Sequence, residues 1–358
     1  MKTYKILGLM SGTSLDGLDL AYCHLHQEKG SWSFEIKAGR SIPYNGSMRD
    51  QLKNAIFLNG EDLILLHNQY GSWLGEQARN FVDEQSLDVD FISSHGHTSH
   101  HRPKKGLTFQ LGSGQHLATA SGISTVCDFR TLDVALGGQG APLVPIGDRL
   151  FFGQYNFCLN LGGISNISFE QDGNRIAYDI GLANMLLNHL CRDTEKGFDE
   201  GGVMAAQGQL LAGLFNQLNA LEYYSLPYPK STGYEWFLEE VVPLVNNTEG
   251  ATEDLLHTAV HHICEQIAVQ LRRFETGKRQ TLLVTGGGAL NTYLLAVLQE
   301  RLGKEMEIVV PEPGIIEFKE ALVFALMGAL RIEEKINVLS SVTGAGRDSS
   351  SGVLFFPG

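Results

Sequence analysis

Residues 8–19 read GLMSGTSLDGLD. An apolar run over 4–10 ends here in a turn of Ser, Gly and Thr, and a second apolar run, 18–25, leaves it at once. Two strands joined by a glycine-rich turn is what that pattern predicts. The pattern returns after Pro145. Residues 156–161 predict a strand, Gly162-Gly163 a tight turn, 164–170 a second strand, and 175–179 a third beyond the turn Asp172-Gly173-Asn174. Helical periodicity follows in each half, at 47–57 and 61–83, then at 252–274, 291–302 and 320–332, and residues 89–94 predict a further strand that runs into His95-Gly96-His97. Strand–turn–strand blocks followed by helices, occurring twice, predict a duplicated α/β fold of two domains with a cleft between them. Domain I is expected over 1–140, with the tail 336–358 returning to it, and domain II over 141–335.

A chain of 358 residues is too long for one ordinary core, which agrees with two domains. Its 41 glycines cluster in doublets and triplets without a repeat, as tight turns do and low-complexity tracts do not. Lys and Arg number 27 against 40 Asp and Glu, a net charge of −13, and no basic tract occurs. Such a surface repels polyanions, so neither nucleic acid nor an anionic membrane is an expected partner. No apolar run approaches the ~20 residues of a membrane span. The start, Met1-Lys2-Thr3-Tyr4, enters a strand without a signal-peptide pattern. Five scattered cysteines without metal-type spacing (Cys23, Cys127, Cys158, Cys191, Cys264) predict reduced thiols in a cytoplasmic protein.

Three glycine turns each follow an apolar strand: 11–17, Gly162-Gly163, and Gly286-Gly287-Gly288. Backbone N–H groups in such turns bind phosphate without a counter-charge, because a missing side chain lets the main chain come close. The bland reading of any one of them is an ordinary tight turn. A P-loop is excluded, since Leu18-Asp19 stands where Lys-Ser/Thr is required. No G-x-G-x-x-G follows a strand, and no G-x-S-x-G elbow occurs. Asp16 and Asp19 flank the first turn and are candidate Mg²⁺ ligands, although an aspartate also shapes a turn through its own backbone. His95, His97, His100 and His101 lack the Cys or paired carboxylate that would complete a zinc site. In the helix over 252–274, Thr252 is the expected N-cap, Leu256, Val260, Ile263, Ile267 and Leu271 form the apolar stripe, and His257 and His261 fall on the polar face as solvated histidines.

The stretch 8–19 resembles the signature of the anhydro-N-acetylmuramic acid kinases, a family of the actin-like ATPase and sugar-kinase superfamily. The resemblance continues through SHGHTSHHRP (94–103), DFRTLDVALGGQGAPLVP (128–145), LNLGGISNIS (159–168), KSTGYEWF (230–237), VTGGGALN (284–291), Glu320-Ala321 and Val342-Thr343-Gly344-Ala345. It implies a duplicated actin-like, ribonuclease H-like fold. It also implies a cytoplasmic, homodimeric enzyme of cell-wall recycling. That enzyme opens the 1,6-anhydro ring of anhydro-N-acetylmuramic acid with water and passes the γ-phosphate of ATP to O6, giving the 6-phosphate.

By the family's pattern, Gly12, Thr13, Ser14, Asp16, Gly17 and Asp19 hold phosphate, Gly162 and Gly163 form the second phosphate turn, and Gly286, Gly287 and Gly288 lie against the adenosine. Asp179 is implied as the water-activating base, with His95, Arg130, Asn184 and Glu320 on the sugar side; a structural alternative for Arg130 is an ion pair with Asp128 or Asp133. The chain departs from the family where Asp-Thr-Gly-Pro-Gly-Asn is usual and Asp179-Ile180-Gly181-Leu182-Ala183-Asn184 stands. His97 replaces a glutamine, Asn188 an aspartate, and the loop 197–203 lacks the customary lysine. These changes raise two alternatives, a nucleotide- or sugar-binding relative without phosphoryl transfer that acts as a sensor, and a kinase for a different amino sugar. A third, an actin-like filament or chaperone ATPase, has no peptide-binding domain to support it.

Overall fold

The computed structural model describes residues 1–12, 15–274 and 276–358, so Thr13 and Ser14 of the first turn lie outside the described residues. The chain forms two compact units, Met1–Phe152 with Phe318–Gly358, and Gly153–Glu317.

In the first unit β1 (Lys2–Ser11), β2 (Gly17–Glu28) and β3 (Ser31–Pro43) make an antiparallel meander. On the other side of β1, β4 (Phe91–Arg102) and then β6 (Thr125–Cys127) run parallel to it, while β5 (Leu107–Leu111) pairs antiparallel with β4. A short last strand, β12 (Val353–Phe355), closes the edge beside β6. Strand β1 is buried along both faces from Ile6 onward. Leu7 and Leu9 join one core with Leu66, Tyr70 and Leu74 of the helix Gly60–Glu84, while Gly8 faces Ala321 of the helix Pro313–Ile332. A strand covered on both sides reads as an unbroken apolar run, which is why the segment stood out in the sequence.

The second unit repeats the plan. β7 (Phe157–Leu161), β8 (Ile164–Gln171) and β9 (Asn174–Leu182) form the meander, with β10 (Gln280–Thr285) parallel to β7 and β11 (Met306–Val309) parallel to β10. Strand order is β3-β2-β1-β4-β6 in one unit and β9-β8-β7-β10-β11 in the other. The likeness reaches the turns. Lys29-Gly30 (φ 49° and 89°) and Asp172-Gly173 (φ 51° and 78°) both use two left-handed residues, whose twist suits a two-residue hairpin. The fold is therefore the duplicated α/β class that the sequence predicted.

Three local expectations are corrected. The helix Thr252–Arg272 has all five stripe residues buried, but Thr252 is its first helical residue and the preceding Ala251 offers no side-chain cap. Glu253 and Asp254 remain in its first turn, where the helix dipole favours them. His257 and His261 are half-buried and partnered instead of fully solvated: their rings stack at 4.4 Å, and His257 Nδ1 lies 2.9 Å from the Ala205 carbonyl and 3.0 Å from the Tyr293 hydroxyl. The helices Val203–Gln207 and Thr292–Leu302 cover that face. Strand β4 also runs beyond the expected residue 94, because pairing with β5 extends it. Among the described residues no helix is long and apolar enough to cross a membrane.

Candidate functional site

In the first unit β1 ends at Ser11 and β2 begins at Gly17. Leu15, at φ 60°, donates its N–H to the Gly12 carbonyl at 3.3 Å, and the Asp16 carbonyl accepts from Tyr44 N at 3.3 Å. Asp16 is exposed and Gly17 begins β2. Asp19 sits opposite Met10 and accepts from Ser41 Oγ at 2.5 Å. Behind the turn, hydroxyls link in a buried chain: Tyr70 to Tyr44 at 2.6 Å, Tyr44 to Ser11 at 2.7 Å, and Ser11 to His97 Nδ1 at 2.9 Å. Burial pushes the His97 imidazole down to about 4, so it is neutral at pH 7.

At the next strand end, His95 and Arg130 meet. Arg130 Nε and Nη2 lie 3.0 and 2.8 Å from His95 Nε2, and Nη1 donates to the Gly140 carbonyl at 2.5 Å. Guanidinium has no acceptor, so His95 Nε2 must be the lone-pair nitrogen, and its proton sits on Nδ1, 3.3 Å from the Ser11 carbonyl. Burial, and then the Arg130 charge, hold this imidazole well below the ordinary range. Burial also lowers Arg130 to about 10, which leaves it charged.

The structural alternative for Arg130 does not hold. Asp133 accepts from Gly140 N and from Thr343 Oγ1, each at 2.7 Å, and Asp128 accepts from Thr131 Oγ1 at 2.6 Å. Among the described residues no carboxylate is in ion-pair reach of Arg130, so this cation has N–H groups to spare for an anion. Glu320 keeps a surface open to solvent, yet the protein packed around it lifts its carboxyl above the ordinary range, with the Arg130 and then the Lys319 charge pulling the other way.

In the second unit Asp179 lies near the end of β9. A bulge inserts Ile180 between the pairs Asn166–Asp179 and Ser165–Gly181, the kind of irregularity that re-aims a side chain beside a site. Asp179 Oδ2 accepts from Ser231 Oγ at 2.9 Å and from Thr232 N at 3.1 Å. Oδ1 has no hydrogen bond among the described residues. Burial raises the carboxyl above the usual aspartate value, while those two donors lower it. Ile180, Leu182 and Ala183, which follow Asp179, are buried members of the core.

The glycines of this unit divide in two. Gly286 (φ 79°) and Gly288 are required by the fold, since a Cβ would lie 2.6 Å from Asn160 Oδ1 or from Leu161 Cβ. Gly162, Gly163 and Gly287 are not: a Cβ would meet nothing nearer than 3.3, 3.7 and 3.7 Å, and none has a left-handed φ. Asn184 ties the turn down, its N–H donating to the Gly162 carbonyl and its Nδ2 to the Leu161 carbonyl, both at 3.0 Å.

Ser231, Thr232 and Lys230 were not assigned from sequence, although the block KSTGYEWF contains them. The only signal was that block itself, because Ser231 is 52 residues from the carboxylate it serves.

The family model for anhydro-N-acetylmuramic acid kinase matches residues 4–357. An anhydro-N-acetylmuramic acid kinase from Vibrio cholerae is 35% identical, with 98% of each chain covered. Another from Aliivibrio fischeri is 34% identical, covering 98% of this chain and 99% of the relative. Among solved structures, the activator of the 2-hydroxyisocaproyl-CoA dehydratase from Clostridium difficile with bound ADPNP is 13% identical, with 92% of this chain and 97% of that one covered at a TM-score of 0.43.

Proposed function

The chain belongs to the anhydro-N-acetylmuramic acid kinase family, and from that premise we propose that it opens the 1,6-anhydro ring of anhydro-N-acetylmuramic acid with water and transfers the γ-phosphoryl group of ATP to O6. The observation that carries this reading is Asp179, a carboxylate with one oxygen held by two donors and the other without a partner among the described residues. Oδ1 takes a proton from water as the water attacks C1, and burial, by raising the carboxyl, makes it a better base. The C1–O6 bond breaks from the opposite face, as in inverting glycosidases. No general acid is needed, because O6 takes the phosphoryl group instead of a proton and ADP leaves from the other side of phosphorus.

Arg130, with no carboxylate of its own, meets the sugar's lactyl carboxylate in this reading, and its planar fork suits bidentate pairing. Glu320, beside it, accepts from a sugar hydroxyl, and His95 keeps Arg130 aimed by accepting two of its N–H groups. Gly162, Gly163 and Gly287 leave room for phosphate and adenosine. Asp16 and Asp19 are hard oxygen donors of the kind Mg²⁺ takes one or two of, and they would hold it beside the first turn. Bound there, Mg²⁺ neutralises phosphate charge. A cytoplasmic location and a homodimer belong to the same reading.

Coupled ADP release on adding the anhydro sugar tests the proposal. Wild-type protein is expected to turn over, and Asp179→Asn to lose about 10²–10⁴-fold in kcat, the usual contribution of a general base. Sugar-dependent thermal stabilisation without ADP formation would instead identify a binding relative.

A further inference from the structure

Lys230 is buried, and among the described residues no carboxylate pairs with it. Its Nζ donates to the Tyr223 carbonyl at 3.0 Å, reaches the Tyr224 carbonyl at 3.5 Å, and lies 4.5 Å from the centre of the Tyr223 ring. These contacts join the two ends of segment 223–230 into a closed loop. The same ends grip Asp179 through its backbone: Tyr223 Oη donates to the Asp179 carbonyl at 2.8 Å, and Asp179 N donates to the Lys230 carbonyl at 3.1 Å. The next two residues, Ser231 and Thr232, supply both donors to Oδ2. An ammonium held only by neutral carbonyls and an aromatic ring is costly to bury. A methionine, unbranched and of nearly the same length, would fill the space without that cost, so the charge needs a reason.

We propose that Lys230 is a positioning residue: its ammonium locks the loop 223–232 so that Ser231 and Thr232 fix the Asp179 carboxylate with Oδ1 turned to water. This rests on the reading of Asp179 as the base. Both bonds to Oδ2 favour the ionised carboxyl and hold its pKa down against burial, so a slack loop raises that pKa. The lock is itself sensitive to alkali, since burial and then the Arg273 charge lower the ammonium to about 8. The Tyr223 and Tyr224 phenols that face it are pushed far upward by burial, so they do not change charge between pH 7 and 9.

The test is the pH dependence of kcat and kcat/KM for ADP release with ATP and the anhydro sugar. Wild-type kcat is expected to fall above about pH 8 as the ammonium deprotonates. In Lys230→Met, kcat should drop about tenfold or more while KM for ATP stays within about twofold, and the acid limb of kcat/KM should move up by about half a pH unit or more. Lys230→Arg keeps the charge and should carry the alkaline limb to higher pH. A wild-type profile flat from pH 7 to 9 overturns the proposal without any variant, and so does an unmoved acid limb in folded Lys230→Met. Asp179→Asn separates the two claims. If it retains turnover, the base assignment fails; if it is inactive while Lys230→Met keeps the wild-type limbs, only the lock fails.

Discussion

Arg130 illustrates what can and cannot be read at the scale of one residue. Its type and neighbours in the chain left two roles open, an ion pair with Asp128 or Asp133 and a contact with a bound carboxylate. Only the packed structure decides, because both aspartates spend their oxygens on Thr131, Gly140 and Thr343 while Arg130 rests on neutral groups. Lysine at this position would keep the charge but lose the fork that bonds His95 and an anion together. Arg130→Lys is therefore expected to raise KM for the anhydro sugar about tenfold with a smaller change in kcat, measured by coupled ADP release. An unchanged sugar KM would remove Arg130 from the substrate. Asp179 was legible through the family's pattern, but its partners Ser231 and Thr232 were not, since a hydrogen bond across 52 residues leaves no local trace.

At the scale of elements, two glycines separate packing from ligand contact. Gly8 on β1 touches the helix Pro313–Ile332 so closely that a Cβ would lie 2.1 Å from the Ala321 carbonyl oxygen. Gly8→Ala must push strand and helix apart and should destabilise the protein by about 1–3 kcal/mol or more, read from the denaturant midpoint. Gly163→Ala should behave oppositely. With nothing nearer than 3.7 Å, it is expected to leave stability within about 0.5 kcal/mol and to raise KM for ATP several-fold. Loss of stability in Gly163→Ala with an unchanged KM would reverse the assignment. Strands and helices themselves were legible because their apolar periods are short-range. Element ends were less so: β4 continues past residue 94 through its pairing with β5, and the helix after Ala251 begins without the expected threonine cap.

For the molecule as a whole, buried neutral histidines make stability depend on pH. Burial lowers His97 to about 4 and His262 to about 3, against ~6.5 for an unfolded chain. Between those values the unfolded state binds more protons than the folded one, so this stability is full above about pH 6.5 and is lost as the pH falls. Each histidine contributes a slope of up to about 1.4 kcal/mol per pH unit in that window. Asp179 and Glu320, whose carboxyls are raised, act in the opposite sense and offset part of the fall. Denaturant unfolding at pH 7 and pH 5 should show a clear net loss at the lower pH, and equal stabilities would contradict the neutral burial of these rings.

The sequence by itself determined the duplicated α/β class, the strand–glycine turn–strand opening of each half, and the position of Asp179 within the family's pattern. Periodicity and turn chemistry act over a few residues, so they are written locally and survive without the fold. Tertiary structure alone decided which nitrogen of His95 carries the proton, that no carboxylate among the described residues lies within ion-pair distance of Arg130, that Ile180 bulges β9 beside Asp179, and that the loop closed by Lys230 supplies both donors to that carboxylate. Those features are directional bonds and close contacts between residues far apart in the chain, and only packing brings them together.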